Sequence, residues 1–187
     1  MTLPEMPDMP DFRIPDPLGV RELNLGDLWR ARWVEEEPLP RGVRIEYAYA
    51  TVLLDGKGYL CRPRGSEQWD AVEGRPEEGV RGETWIRRAC RDRIGAEAAK
   101  VELIGFLDCR ATSHNPPFEP GAEAVIPFYT VPARRVAMNP RDAGFERRRL
   151  PLNEYGTALR RRYPQYIPYF SAMVERYVIL QAQGEVG

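Results

Sequence analysis

Apolar and polar positions alternate with a period of two through RIEYAYATVLL, where Ile45, Tyr47, Tyr49, Thr51 and Leu53 interleave with Ala48, Ala50 and Val52. Both sets are β-formers or small, so the pattern predicts a strand over 45–54 that is buried on both faces. DGKG follows as a tight turn into GYLCR, which completes a hairpin. RGSEQWDAVEGR then reads as a polar loop that leads through Trp69 and Val72 to Gly74. From 83 to 94 the period changes to about four. Ile86, Cys90 and Ile94 share one face, and Gly95 supplies a C-terminal stop, so a helix is predicted with those three residues buried. Strands are expected again at VELIGFLDC and over 123–133, which contains AVIPFYTVPA, separated by the proline-bearing loop RATSHNPPFEPG. RRLPLNEYG reads as a short strand and a helix start. Strands on both sides of a helix predict a mixed sheet with helices packed against it.

The two ends have different patterns. Residues 1–40 carry Pro4, Pro7, Pro10, Pro15 and Pro17, a spacing that favours extended or polyproline backbone, and then LGDLWRARWVEEEPLP. We read this part as an N-terminal arm. Trp29 and Trp33 lie four apart, which suits a short helical turn laid on the body, with self-association as the alternative. At the other end, Tyr166, Phe170, Met173, Tyr177 and Leu180 form one apolar stripe of a closing helix that tolerates Pro168 in its first turn. The chain therefore divides into an arm (1–40), a central domain (41–158) and a C-terminal helical extension (159–187) packed on that domain or on a partner.

Composition adds limits. With 187 residues, 43% hydrophobic, the chain is long enough to bury a real core. The formal charge of -1 gives no global reason to expect nucleic acid or a membrane, although all its basic residues except Lys57 and Lys100 are arginine. The runs 147–149 and 160–162 are short and neighboured by Glu, which reads as solvated surface. No window reaches the ~18 apolar residues of a membrane span, and MTLPEMPDMPDF is unlike a signal peptide, so a cytoplasmic location is expected. Cys61, Cys90 and Cys109 are odd in number and far apart, which suggests buried free thiols. His114 is the lone histidine, in a loop, and receives no role.

GRPEEGVRGETWIRRACRDRIGA, residues 74–96, resembles the Nudix box, whose pattern is Gly, five residues, Glu, seven residues, then Arg-Glu-apolar-x-Glu-Glu-x-Gly-apolar. Gly74 takes the first position, Arg88 falls on the Arg and Gly95 on the last Gly, without a gap. The flanking strands, the Trp69 loop and the ERRRLPLNE segment fit the same pattern across most of 43–158. The resemblance implies an α/β/α sandwich with a mixed sheet. It also implies a helix whose carboxylates hold Mg²⁺ or Mn²⁺ for hydrolysis of a diphosphate, because positions 89, 92 and 93 lie on one face of one turn.

The chain departs from the pattern at those positions. Val80 and Ala89 replace two glutamates, Asp92-Arg93 replaces the glutamate pair, and the three metal positions sum to zero where the family pattern gives -3. Arg88, four residues before Asp92, could also pair with it. Ordinary metal catalysis is therefore disfavoured electrostatically, since one unit charge at about 4 Å is worth roughly 4 kcal/mol at an effective dielectric of about 20. Three readings remain open. The domain binds a small nucleotide-like or other phosphorylated ligand with weak or no hydrolysis, needing no cofactor. Its ligand contacts would be Arg62, Arg64, Arg75, Arg88 and Arg93 with Trp69, Phe118 and Tyr129, while Gly74 and Gly95 are structural. Alternatively it is an active Mg²⁺- or Mn²⁺-dependent hydrolase with a site rebuilt from Asp92, Glu77, Glu119 and Glu123, with Glu73, Glu78 and Glu83 nearby. In the third it is a non-catalytic interaction scaffold. Whether the chain is an enzyme, and whether it forms a homodimer, stay open at this level.

Overall fold

The computed structural model describes residues 22–35 and 37–187. The prolines at 4, 7, 10, 15 and 17, and the extended backbone expected for them, lie outside the described residues.

Among the described residues, ten strands form one open mixed sheet. In chain order they are β1 (Glu22–Leu25), β2 (Trp29–Glu35), β3 (Arg44–Ile45), β4 (Ala48–Leu54), β5 (Lys57–Pro63), β6 (Val72–Gly74), β7 (Ala96–Ala98), β8 (Glu102–Ala111), β9 (Glu123–Val136) and β10 (Phe145–Pro151). Helix α1 (Gly82–Ile94) lies between β6 and β7. Helix α2 (Leu152–Arg162) and helix α3 (Ile167–Ala182) close the chain, joined by a 3-10 turn at Pro164–Tyr166. The main strand order is β1-β2-β8-β9-β4-β5-β10. The central β4–β9 pair is parallel, whereas β4–β5, β8–β9 and β2–β8 are antiparallel. The fold is α+β, as expected from the sequence, and the predicted strands at 45–54 and 123–133 are neighbours in one sheet.

The period-two pattern of β4 explains why helices cover both faces. Ala48, Ala50 and Val52 face α1, where they meet Trp85, Ile86, Ala89, Cys90 and Ile94. Tyr49 and Leu53 point the other way, into a larger cluster with Tyr155 and Leu159 of α2 and Phe170, Met173 and Tyr177 of α3. Between the layers, buried Thr51 donates to Thr130 across the parallel pair at 3.3 Å. The turn after β4 holds Asp55 and Gly56 at φ 50° and 66°, the left-handed pair that a two-residue hairpin needs. Pro168 sits in the first turn of α3, and the predicted stripe from Tyr166 to Leu180 is buried.

One expectation is corrected. Trp29 and Trp33 are not on a helical turn. Trp29, Ala31 and Trp33 alternate with exposed Arg30 and Arg32 along β2, and β8 provides the backbone partners that a four-residue spacing alone does not reveal. Trp33 stacks on Tyr169 of α3 at 4.1 Å, so the arm ends in a strand of the main sheet. The boundary at 158/159 falls inside α2. The three cysteines are free and buried.

Candidate functional site

Gly74 ends β6 at φ 155°, and a Cβ there would stand 2.8 Å from two ring carbons of Trp85. The turn from β6 into α1 is therefore pressed against the first turn of the helix. Gly95 caps the other end of α1 at φ 79°, its N–H bonded to the Arg91 carbonyl. The Arg147 guanidinium donates to the carbonyls of Ile94 and Met138, which covers the carboxyl end of α1 with cation, as its dipole favours. Arg147 lies in a run that the sequence presents as solvated surface. Its role depends on β10 arriving beside the helix end, which no local pattern announces.

Along α1 the three positions where the resemblance implies metal ligands have separate fates. Ala89 is buried against the sheet. Asp92 pairs with Arg91 at 3.2 Å, while its backbone carbonyl accepts from the Asp142 N–H. Arg93 turns inward. Its guanidinium donates to the backbone carbonyl of Glu73 and lies over the rings of Trp85 and Phe145, at 5.3 and 5.1 Å from their centroids. A cation belonging to the protein therefore occupies the ground between the helix and the Gly74 turn. Arg88 pairs with Glu77, not with Asp92 as its spacing suggested.

The other predicted site residues are dispersed. Arg62 donates to Glu146 at 2.9 Å and covers Trp69 at 4.3 Å, and Arg64 donates to the Ala143 carbonyl at 2.6 Å. Arg75 pairs with Glu46. Phe118 packs on Trp29 at 5.0 Å and lies under Arg44, which fixes the 111–122 loop to β2. Tyr129 is in the core beneath α1. Glu123 pairs with Arg110, Glu83 with Arg87, and Glu119, Glu78 and His114 are exposed. Among the described residues, no three His, Cys, Asp or Glu side chains are grouped so that they could hold a metal ion. Asp92, Glu77, Glu119 and Glu123 do not converge.

One network was not legible in the sequence. Tyr163, at the end of α2, donates to Glu73 Oε2 at 2.6 Å and accepts from the Ala71 N–H at 2.9 Å. Arg162 bridges Asp70 at 2.6 Å and Glu73 at 3.6 Å. Burial holds the Glu73 carboxyl above its ordinary pKa, and the Tyr163 hydrogen bond pulls against that. In the sequence Glu73 stands out only as a flanking acid. Its partners lie about 90 residues away.

No protein-family model and no curated protein matches the sequence. Among solved structures, the chain is similar to a mutant of the Bacillus subtilis pyrophosphohydrolase BsRppH at 12% identity, over 70% of this chain and 77% of that one, with a TM-score of 0.49. It is also similar to the E. coli ORF135 protein at 24% identity, over 79% and 97%, with a TM-score of 0.42. Neither likeness is close enough to bear on function, which rests on the residues themselves. Among the described residues, no helix is long and apolar enough to cross a membrane.

What the surface beside α1 does offer is guanidinium groups. Arg81, Thr84, Arg87, Arg88 and Arg91 line a cleft of about 500 Å³ on the solvent side of the helix, with Glu83 as its carboxylate. Planar guanidinium donors suit phosphate oxygens without a bridging metal.

Proposed function

We propose that the chain is a Nudix-like domain that binds a small phosphorylated ligand without a metal and hydrolyses it weakly or not at all. The observation that carries this reading is Arg93. Its guanidinium, held by the Glu73 carbonyl and two aromatic rings, stands at a position where the resemblance implies a metal-ligating carboxylate. A divalent cation brought there would lose a ligand and meet a fixed positive charge. The ligand's phosphate is assigned to Arg81, Arg87, Arg88 and Arg91 in the cleft on α1. Of the contacts expected from sequence, this keeps Arg88 and gives Arg62, Arg64, Arg75 and Phe118 structural roles.

Isothermal titration tests this with pyrophosphate and ADP-ribose in EDTA, and with Mn²⁺ alone. The expected result is binding of a phosphate ligand in EDTA, weakened at least tenfold in Arg87→Gln/Arg88→Gln, with no heat from Mn²⁺. A Mg²⁺-dependent turnover near the ~10 s⁻¹ typical of enzymes, abolished by Asp92→Ala, contradicts it.

A further inference from the structure

The cleft on α1 does not end at the helix. A second cavity of about 450 Å³ shares Arg87 and Arg91 with it and continues past Gly95 to Arg135 on β9 and Arg141 in the loop before β10. Arg141 is brought there by the backbone: its N–H points to the Arg91 carbonyl at 3.5 Å, and the next N–H, of Asp142, bonds the Asp92 carbonyl at 2.8 Å. Like charges from two elements are thus held side by side by main-chain hydrogen bonds. The two linings together present six guanidinium groups; against Glu83 and Glu97 of the linings, and Glu77 and Asp92 that pair with Arg88 and Arg91, this leaves a formal charge of +2 on a chain whose total is -1. Among the described residues no ion pair engages Arg81 or Arg141. The patch is an asymmetry of position that the total charge conceals.

From this we infer that the joined groove binds the sugar-phosphate backbone of a single-stranded nucleic acid, a proposal that rests on the phosphate reading of α1 and extends it to a chain of phosphates. Length favours a polymer over a single diphosphate. Arg81 to Arg91 spans ~15 Å at ~1.5 Å per helical residue, before β9 and the loop are added, which exceeds one diphosphate and is room for two or three phosphates of a single strand, spaced at roughly twice the ~3.4 Å duplex rise. Neither lining contains Phe, Tyr or Trp, so there is no ring on which a base could stack. Recognition is therefore of charge and not of sequence. The apolar residues of the groove are alanines, with nothing that could enter a bilayer, so an anionic membrane fits it less well.

Fluorescence anisotropy with labelled dT20 and dA20 tests the proposal, alongside titration with pyrophosphate. At 50 mM salt both oligonucleotides should bind within about threefold of each other. The exposed triple variant Arg87→Gln/Arg91→Gln/Arg141→Gln should bind at least tenfold more weakly. Its slope of log affinity against log salt should be shallower by about 2, at ~0.7 for each single-strand phosphate that the variant no longer neutralises. The charge-matched control Arg148→Gln/Arg149→Gln/Arg160→Gln should stay within twofold of the parent. Pyrophosphate binding without oligonucleotide binding overturns this inference and leaves the small-ligand reading intact, whereas loss of both overturns both. Equal behaviour of the two triple variants shows that the groove is the wrong site. Capture by phosphatidylserine vesicles, or by inorganic polyphosphate, with no oligonucleotide binding also overturns it.

Discussion

Glu73 shows how much a single side chain here depends on distant partners. Its carboxyl sits under Tyr163 and beside Arg162, and burial raises its pKa above the ordinary value of 4.5. A raised native pKa means that the fold binds this proton more tightly than the unfolded chain does. The contribution to stability is therefore full below pH 4.5 and is lost as pH rises through the native value. Glu73→Gln removes that dependence and keeps an acceptor for Tyr163. Its stability relative to the parent should improve as pH rises from about 4.5 to about 7, read from denaturant midpoints; a constant difference contradicts the account. Tyr163→Phe should cost about 1–3 kcal/mol, because it takes the hydroxyl away from the Glu73 oxygen and the Ala71 N–H. Burial likewise pushes the Cys61 and Cys109 thiols up to about 12 and raises Cys90. All three should resist iodoacetamide at about pH 8 until the protein is unfolded.

At the scale of elements, the β6 turn and α1 form one unit, joined by the close approach of Gly74 to Trp85 and by the Arg93 bond to the Glu73 carbonyl. Gly74→Ala would press a methyl group onto the Trp85 ring, with the Arg93 guanidinium at 3.5 Å, and should cost about 1–3 kcal/mol in chemical denaturation although it removes no charge. If that variant is as stable as the parent, the close approach of turn and helix is not what holds Gly74 in place. Much of this unit was legible. The spacing of Ile86, Cys90 and Ile94 gave the helix and its buried face, and Gly95 gave its end. What the spacing could not give was the direction of Arg93, because its acceptor, the Glu73 carbonyl, is 20 residues away on a strand whose position depends on pairing with β4. For Trp29 and Trp33 the period-two signal was present in WRARW, but a four-residue spacing fits a helix as well as a strand. Pairing with β8 decided between them.

Across the described residues, the first strands of the sheet and the last helix meet. Trp33 near the N-terminus stacks on Tyr169 near the C-terminus, and both pack on Phe128 at the centre of the sheet. Unfolding followed by Trp fluorescence and by far-UV circular dichroism should therefore coincide in one transition. Trp33→Ala should cost about 3–5 kcal/mol without splitting it, and a separate early transition in fluorescence would show that residues 22–35 and α3 are appendages after all. The same architecture bears on the proposed function, because both faces of the sheet are covered by helices and the described clefts lie on the charged surface of α1 and beside it. In the function proposed above, Arg93 displaces metal chemistry while arginines on α1 hold phosphate. The most direct measurement is an anomalous difference map from crystals soaked with Mn²⁺ and pyrophosphate. The expected map shows pyrophosphate against Arg87, Arg88 and Arg91 with no manganese peak at Asp92; a manganese peak bridging Asp92 and pyrophosphate would overturn the proposed function.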